Sequence, residues 1–446
     1  MFAPTLDVAP ETVASPLQPD VPVRWNPATL IAFRFCFVYF GLYVLTTQML
    51  GGLIVLPGID VPPLEQLPPV RNLTSWVATH LFRVSYPLVI TGSGSGDKTF
   101  DWVHAFCLLA IAGAATAVWS FVDRSRDHYA GLHKWFHLFL RFSLGSTMVS
   151  YGMAKAIPLQ MPAPGLTRLL EPFGNFSPMG VLWYSIGAAR GYEIFAGCAE
   201  LAGGVLLFVP RTATLGALIC LADAIQIFML NMTYDVPVKV FSFQLILMSL
   251  LVLAPDASRL ANVILLNRTA GPSTRPPLLR GRRANRIVLA AQVVFGVYLI
   301  GMGLRGAAQG WTRYGGGAPK SPLYGIWNVD EMIINGQTRS PLITDYGRWR
   351  RVVFQNPASM SFQRMNDTFV FQPVTIDVAG RSITLTKADK SQSGRFSFER
   401  PAADRLILDG NMDGQTVHMQ LQLVDRNTFL LVNRGFHWIQ EYPFNR

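Results

Sequence analysis

Residues Trp135–Ile157 read WFHLFLRFSLGSTMVSYGMAKAI, and this stretch decides the fold class of the chain. It is long enough to cross a bilayer as a helix, yet it contains Arg141 and Lys155. An ionised side chain in a bilayer core costs roughly 2.5–3.5 kcal/mol, so it normally faces a protein interior. Intervals of four, three, four and three separate the residues of one helical face, namely Arg141, Gly145, Met148, Gly152 and Lys155. This face therefore marks the best candidate for a functional site.

The composition indicates a membrane protein. Only 15% of the 446 residues are charged and 50% are hydrophobic, whereas soluble domains carry about 25% charged residues. Hydrophobic runs of spanning length predict seven transmembrane helices, at residues 29–50, 102–121, 135–157, 191–209, 212–232, 236–254 and 286–304.

The basic residues predict the orientation of these helices. The net charge of +11 comes mainly from one set of loops, including the basic loop 257–285 with its run from Arg275 to Arg286. This asymmetry follows the positive-inside rule, so we expect the 1–28 tail in the cytoplasm of a bacterium and everything after residue 305 in the periplasm. The same basic run predicts contact with the lipid bilayer and argues against nucleic acid as a partner.

Further charged and polar residues fall in the helices that follow the opening stretch. With the predicted orientation, several share the outer leaflet and two lie deeper, so they would surround a polar cavity that narrows inward. This cavity would bind a polar head group or carry protons. The alternative is that the pairs only hold the helices together. The outer set is Lys155, Glu193, Asn231, Asp235 and Lys239, and the deeper pair is Glu200 and Asp223.

The cysteines and histidines predict no metal or haem site. All four cysteines lie in apolar helices without a C-x-x-C spacing, which favours packing roles. His104 and His137 fall at opposite ends of neighbouring predicted helices, too far apart to share a haem across a core of about 30 Å. No catalytic residue is identified from the spacing of nucleophiles and bases.

The composition changes at Gly315–Pro319, within a linker predicted at 305–321 to be flexible. The remainder, 322–446, alternates in polarity. Turn signals are predicted at Asn335-Gly336, Ala379-Gly380, Ser393-Gly394, Asp409-Gly410 and Asp413-Gly414. About nine short strands, including 350–354, 405–408, 416–423 and 428–432, predict an all-β up-and-down barrel.

The start of this β-domain resembles the lipocalin signature. Gly325 and Trp327 form a G-x-W on the predicted first strand, and in lipocalins the Trp closes one end of the barrel. The resemblance implies that an Arg near the last strand packs on this Trp, and Arg434 is the candidate. The alternative is a different β-domain in which Trp327 is an ordinary core residue.

Residues 134–256 contain motifs similar to those of the DoxX family of bacterial membrane proteins. The matching segments are Arg141–Gly145, Tyr151–Lys155, Ala199–Thr212 and Ala254–Asp256. The resemblance implies a four-helix membrane core, here with two helices before it (residues 29–121, with an external loop at 51–100) and one after it (286–304). Because some members of the family are linked to a thiosulfate:quinone oxidoreductase, it also implies quinone as a ligand.

We therefore predict a polytopic α-helical membrane protein with a DoxX-like core and a C-terminal lipocalin-like barrel. The predicted function is binding of a lipophilic ligand, quinone or lipid, in the outward-facing cavity with help from the periplasmic barrel. Two alternatives stay open. The chain could be the membrane subunit of a quinone-linked oxidoreductase whose redox centre is carried by a partner, or a membrane-anchored protein that binds a periplasmic partner.

Overall fold

The computed structural model describes residues 24–59, 61–272, 275–386 and 392–445, so most of the predicted 1–28 tail lies outside the described residues. The first part of the chain is helical and the last part is a β-barrel, as predicted. The helices before the barrel are α1 (Pro27–Thr46), α2 (Met49–Leu53), α3 (Pro68–His80), α4 (Thr99–Val122), α5 (Ala130–Ala156), α6 (Pro178–Ala188), α7 (Arg190–Phe208), α8 (Ala213–Thr233), α9 (Lys239–Leu253), α10 (Ala257–Ile264) and α11 (Arg282–Arg313).

Six helices in the described part of the chain are long and apolar enough to cross a membrane. They are α1, α4, α7, α8, α11 and the continuous segment formed by α9, a 3₁₀ turn and α10. The remaining predicted span corresponds to α5, which is 27 residues long (about 40 Å) but more polar than the others. Its position in the middle of the bundle explains this polarity, because ten successive residues, 140–149, are buried on every side of the helix.

Helices α5 and α7 pack with their backbones in close contact along a seam of glycines. A Cβ atom on Gly197 would lie 2.3 Å from the backbone nitrogen of Ala156, and one on Gly204 would lie 2.8 Å from the carbonyl oxygen of Gly145. Small residues at such seams are typical of helix pairs in membranes, where close van der Waals packing replaces the hydrophobic effect. The predicted polar face of α5 is therefore the face that α7 covers.

A buried arginine in α1 shows how the bundle accommodates charge away from the α5–α7 seam. Arg34 is buried, and its guanidinium donates to the hydroxyls of Tyr129 and Ser120 and to the backbone carbonyl of Asp123. The hydroxyl of Tyr129 in turn donates to the Asp123 carboxylate at 2.8 Å. The guanidinium thus has acceptors on two neighbouring segments, which ties α1 to the α4–α5 connection.

The C-terminal domain is a closed antiparallel barrel of eight strands. Neighbouring strands pair in chain order, and β1 closes the barrel against β9, while the short β2 only extends the edge of β1. The strands are β1 (Gly325–Ile334), β2 (Gln337–Thr338), β3 (Trp349–Asn356), β4 (Ser359–Arg364), β5 (Phe369–Asp377), β6 (Ser382–Thr386), β7 (Gln392–Ala402), β8 (Arg405–Met412) and β9 (Gln415–Leu423).

Three of the turn predictions are confirmed, because Asn335-Gly336, Ala379-Gly380 and Asp413-Gly414 each connect two paired strands. Asn335-Gly336 and Asp413-Gly414 adopt φ values of 51°, 78°, 48° and 81°, as two-residue hairpin turns require. The turns predicted at Ser393-Gly394 and Asp409-Gly410 are wrong, because both glycines lie inside strands. A Cβ on Gly410 would lie 2.1 Å from the carbonyl oxygen of Arg395, so this glycine permits close approach of β7 and β8.

Two further boundary predictions are wrong. The strand predicted at 428–432 is instead part of a 3₁₀ turn followed by the short helix α12 (Leu430–Asn433). The linker predicted to be flexible begins as helix, since α11 continues to Arg313, and the glycines that follow pack against Trp311. A Cβ on Gly316 would lie 2.5 Å from the Trp311 ring, which leaves room only for glycine.

The barrel contacts the helical bundle through the segment between α5 and α6, residues 157–177, here called the connecting segment. Leu166 of this segment is buried with Ile326 and Val353 of the barrel. The backbone nitrogen of Leu166 also donates to Oε1 of Gln355 at 2.8 Å. The C-terminal end of α5 and the connecting segment thus define one end of the bundle, which we call the barrel side.

Candidate functional site

A cavity of about 90 Å³ lies inside the bundle at its barrel side. Its walls come from the C-terminal half of α5, the N-terminal halves of α7 and α9, and the C-terminal half of α8. Gln160 and Met161, together with α6, complete the enclosure, and we call these residues the roof. Most of the wall is apolar and aromatic, with a few polar groups among the apolar side chains, a composition typical of sites for small lipophilic molecules.

The central polar feature is an ion pair between Lys155 of α5 and Glu200 of α7. Nζ of Lys155 donates to both carboxylate oxygens of Glu200, at 2.7 and 2.9 Å. The side chains are only 9% and 3% exposed. The face of α5 identified from the sequence therefore places Lys155 opposite Glu200 of α7. Both residues were predicted to surround the same cavity.

Glu193 approaches the cavity from the first turn of α7. It is fully buried, and its Oε1 accepts a hydrogen bond from the backbone nitrogen of Met161 at 3.0 Å. Among the residues that the structure describes, its buried Oε2 has no hydrogen-bond partner, and neither does the buried Oε1 of the neighbouring Gln160. A buried oxygen without a partner costs free energy, so this corner of the cavity has unsatisfied capacity to bind a polar group.

Asn231 and Tyr192 make two further polar contacts. Nδ2 of Asn231 donates to Oγ of Ser242 at 3.0 Å, which links the ends of α8 and α9. The hydroxyl of Tyr192 accepts a hydrogen bond from Nε2 of Gln226 at 3.2 Å, which links α7 and α8. These contacts hold the helix ends that form the cavity wall.

Of the seven residues predicted to surround the cavity, four line it, namely Lys155, Glu193, Glu200 and Asn231. The placement of Asp223, Asp235 and Lys239 in the cavity is wrong, and Arg141 of the predicted polar face does not line it either. Arg141 donates from two guanidinium nitrogens to the carbonyl of Leu207, where a cation stabilises the C-terminal end of α7.

Asp223, Asp235 and Lys239 lie outside the lining for different reasons. Lys239 is held at the start of α9 by Asp235, with Nζ and Oδ1 2.9 Å apart. Asp223 is half-buried behind the wall, where it interacts electrostatically with Lys155 and Glu200. One turn of helix separates a residue that faces the cavity from one that does not, and the spacing alone does not decide how α8 is rotated.

The sequence reasoning missed the roof. No helix is predicted between residues 157 and 191, yet α6 occupies Pro178–Ala188 and contributes Leu182, Trp183 and Ile186 to the cavity. The signal was present: Ser177 caps the helix by accepting from the backbone nitrogen of Gly180, and Pro178 follows at the first helical position. The apolar run of α6 is shorter than a membrane span, so the length criterion used for the helix predictions does not detect it.

In the barrel, Gly325 and Trp327 occupy the positions that the G-x-W pattern predicts. Trp327 is fully buried, and its indole nitrogen donates to the carbonyl of Leu323 at 2.9 Å. The prediction for Arg434 is wrong, because it lies over Phe444 in the C-terminal tail. Arg400 of β7 instead lies over the Trp327 ring, at 5.7 Å from its centroid. The arginine that contacts Trp327 therefore comes from β7 and not from the segment after the last strand.

Apolar side chains fill the interior of the barrel. Phe354, Met360, Phe396, Leu408 and Met419 are all buried there with Trp327 in one cluster. Eight strands enclose an interior small enough for side chains to fill. The barrel contacts the bundle through the connecting segment.

The two histidines weighed as haem ligands have separate environments. His137 lies beside the carbonyl of Val252, with its Nε2 3.1 Å away. His104 hydrogen-bonds Thr46 at 2.9 Å and lies 3.8 Å from Glu65, which precedes α3. Burial, aided by the negative charge of Asp101 and opposed by Lys98, raises the pKa of Glu65 to about 7. This carboxyl is a titratable group that the sequence did not indicate.

No family model matches the chain. No solved structure matches it either. The chain is similar to a protein of Bacillus subtilis (strain 168) named "Uncharacterized protein YwoB", with 29% identity over 137 residues. The match covers 29% of this chain and 79% of that protein. The similarity therefore concerns less than a third of the chain and brings no activity with it.

Proposed function

We propose that this chain is a DoxX-like protein of the bacterial inner membrane that binds a lipophilic ligand, a quinone or a lipid, in the cavity beneath the roof. The observation that carries the proposal is the Lys155–Glu200 pair, which is buried in the wall of an apolar cavity. Ionised groups inside a membrane bundle commonly mark sites for ligands or protons.

The geometry favours binding over a purely structural role for this pair. A pair that only joins helices needs no adjacent space, whereas Lys155 and Glu200 adjoin a cavity with unsatisfied oxygens on Glu193 and Gln160. Apolar walls suit a hydrocarbon chain or a ring, and the polar corner suits a head group. A bilayer supplies such molecules at high local concentration.

In this proposal the orientation follows the positive-inside rule, so the barrel side faces the periplasm. The barrel holds the connecting segment in place through Leu166, Ile326 and Gln355. Because the connecting segment contains Gln160 and Met161 of the roof, barrel docking would determine whether the roof is closed. The barrel then assists binding as a brace.

The test is mass spectrometry of molecules that co-purify with the full-length protein in mild detergent. We expect a lipid or quinone to be retained by the wild type and lost when Ala196 in the wall is enlarged to Leu, which fills the cavity without removing a charge. Lys155→Ala and Glu200→Ala should also lose it. Lys239→Ala is the matched control, because this lysine pairs with Asp235 outside the cavity.

Retention of the same molecules by the folded Ala196→Leu variant would refute the proposal. The rival of a quinone-linked oxidoreductase subunit is addressed by the same preparation. A redox spectrum of the purified complex that changes on addition of a quinol would favour the rival, with the redox centre on a co-purified partner.

A further inference from the structure

The cavity has one cation in its lining, and that cation is already paired. Lys155 is the only lysine or arginine among the lining residues that the structure describes. Its ammonium group donates to both oxygens of Glu200. Arg190 begins α7 one turn before Glu193, but it is exposed and outside the lining. An anionic head group would therefore meet no free positive charge inside the cavity.

Two buried acceptors in the cavity lining are unsatisfied. Oε2 of Glu193 and Oε1 of Gln160 have no hydrogen-bond partner among the residues that the structure describes, and both side chains line the cavity. Glu193 is fully buried, and its other oxygen is held by the backbone nitrogen of Met161. That hydrogen bond fixes the carboxylate, so the free oxygen is positioned before any ligand arrives.

We infer that the ligand has an apolar body and a head group that donates hydrogen bonds, either a hydroxyl or a protonated amine, bound at Glu193 and Gln160. Carboxylate and phosphate head groups are disfavoured, because they add a negative charge beside Glu193 and Glu200 without an unpaired cation to balance it. This inference rests on the proposed function and narrows it to a lipid with a hydroxyl or amine head group or to a quinol, because the carbonyl oxygens of an oxidised quinone cannot donate.

The experiment compares amphiphiles with the same twelve-carbon chain and different head groups. The full-length protein, in nanodiscs of zwitterionic phosphatidylcholine, is titrated with dodecanol, dodecylamine, dodecanoate and dodecyltrimethylammonium. The rise in melting temperature with concentration gives an apparent affinity for each. The trimethylammonium compound has a positive charge but no N–H donor. Its comparison with dodecylamine therefore distinguishes the effect of hydrogen-bond donation from the effect of positive charge.

We expect dodecanol and dodecylamine to bind about tenfold more tightly than the other two, because a hydrogen bond to a charged, buried acceptor is worth at least that factor. Glu193→Gln should abolish the preference for dodecylamine over dodecyltrimethylammonium. Glu171→Gln is the matched control, since Glu171 pairs with Arg168 on the connecting segment. Gln160→Leu provides a second variant that weakens dodecanol binding if Glu193→Gln does not fold.

The outcomes separate this inference from the proposed function. Dodecanoate or dodecyltrimethylammonium binding as tightly as dodecanol would overturn the inference while leaving a lipophilic site in place. Equal binding of all four compounds by the wild type and by Ala196→Leu would remove the site itself, and with it the proposed function.

Discussion

Replacing Lys155 with Met tests whether the buried ion pair is as coupled as its geometry indicates. The ammonium lies 2.7 and 2.9 Å from the two oxygens of Glu200, and both side chains are almost fully buried. Removing one member of a buried pair leaves the other charge without compensation, which costs about 3–5 kcal/mol. We expect the lower end, since Lys155 lies near the end of α5 and its side chain can reach the interface when the bundle opens.

The assay is a double-mutant cycle on the free energy of unfolding, measured by titration of detergent-solubilised protein with a denaturing detergent. Lys155→Met and Glu200→Gln should each lower the free energy of unfolding by about 3 kcal/mol. The double variant should return to within about 1 kcal/mol of the wild type, because no uncompensated charge remains.

Arg24→Met serves as the control, because Arg24 and its partner Asp127 are 81% and 56% exposed and an exposed pair contributes about 1 kcal/mol or less. Two results would refute the reasoning. One is a loss in the double variant equal to the sum of the single losses, and the other is a loss below about 1 kcal/mol in both single variants.

Three further predictions follow from other contacts. Gly197→Ala should lower the free energy of unfolding by about 3 kcal/mol, since its Cβ would lie 2.3 Å from the α5 backbone, whereas Gly191→Ala in the same helix, with open space, should not lower it. Glu65 has a pKa of about 7 in the folded protein, above its ordinary 4.5. Its protonated form therefore adds to the free energy of unfolding at low pH, and this contribution is lost as the pH rises from about 4.5 to 7. Stability should fall by about 3 kcal/mol over that window, and a pH series on Glu65→Gln that retains this fall would contradict the assignment. Arg400→Ala should weaken the barrel by about 0.5 kcal/mol through loss of the cation over the buried tryptophan of β1, and Arg434→Ala should not; equal shifts in melting temperature would count against this contact.

Much of the helical fold is predictable because the bilayer imposes a length and a polarity on each span. The predicted 102–121, 191–209 and 212–232 agree with α4, α7 and α8 to within a few residues at each end. The polar face of α5 is equally visible, since a charge in an apolar helix must face protein. Lys155 and Glu200 could both be named as site residues for this reason.

The barrel was predictable to a different degree. Alternation and turn residues indicate strands one by one, and Asn335-Gly336 and Asp413-Gly414 are turns. A glycine in a strand pattern can indicate either a turn or a close approach of two strands, and the local sequence does not distinguish them. Gly410 lies at a close approach of β7 and β8. The prediction for Arg434 is wrong for a similar reason. Its position close to the last strand in the sequence does not determine which arginine packs on the Trp327 ring.

A helical membrane part, a β-barrel and charged residues on a protein-facing helical face can all be predicted from the amino-acid sequence. Hydrophobic length, periodicity and the cost of burying charge act locally along the chain, so they can be recognised without a structure. Three further features emerge only from the tertiary fold: Lys155 pairs with Glu200, Arg141 binds a helix end, and α6 covers the cavity. These outcomes depend on the rotation of one helix against another and on a loop folding back over the bundle, and contacts between residues distant in the chain set both.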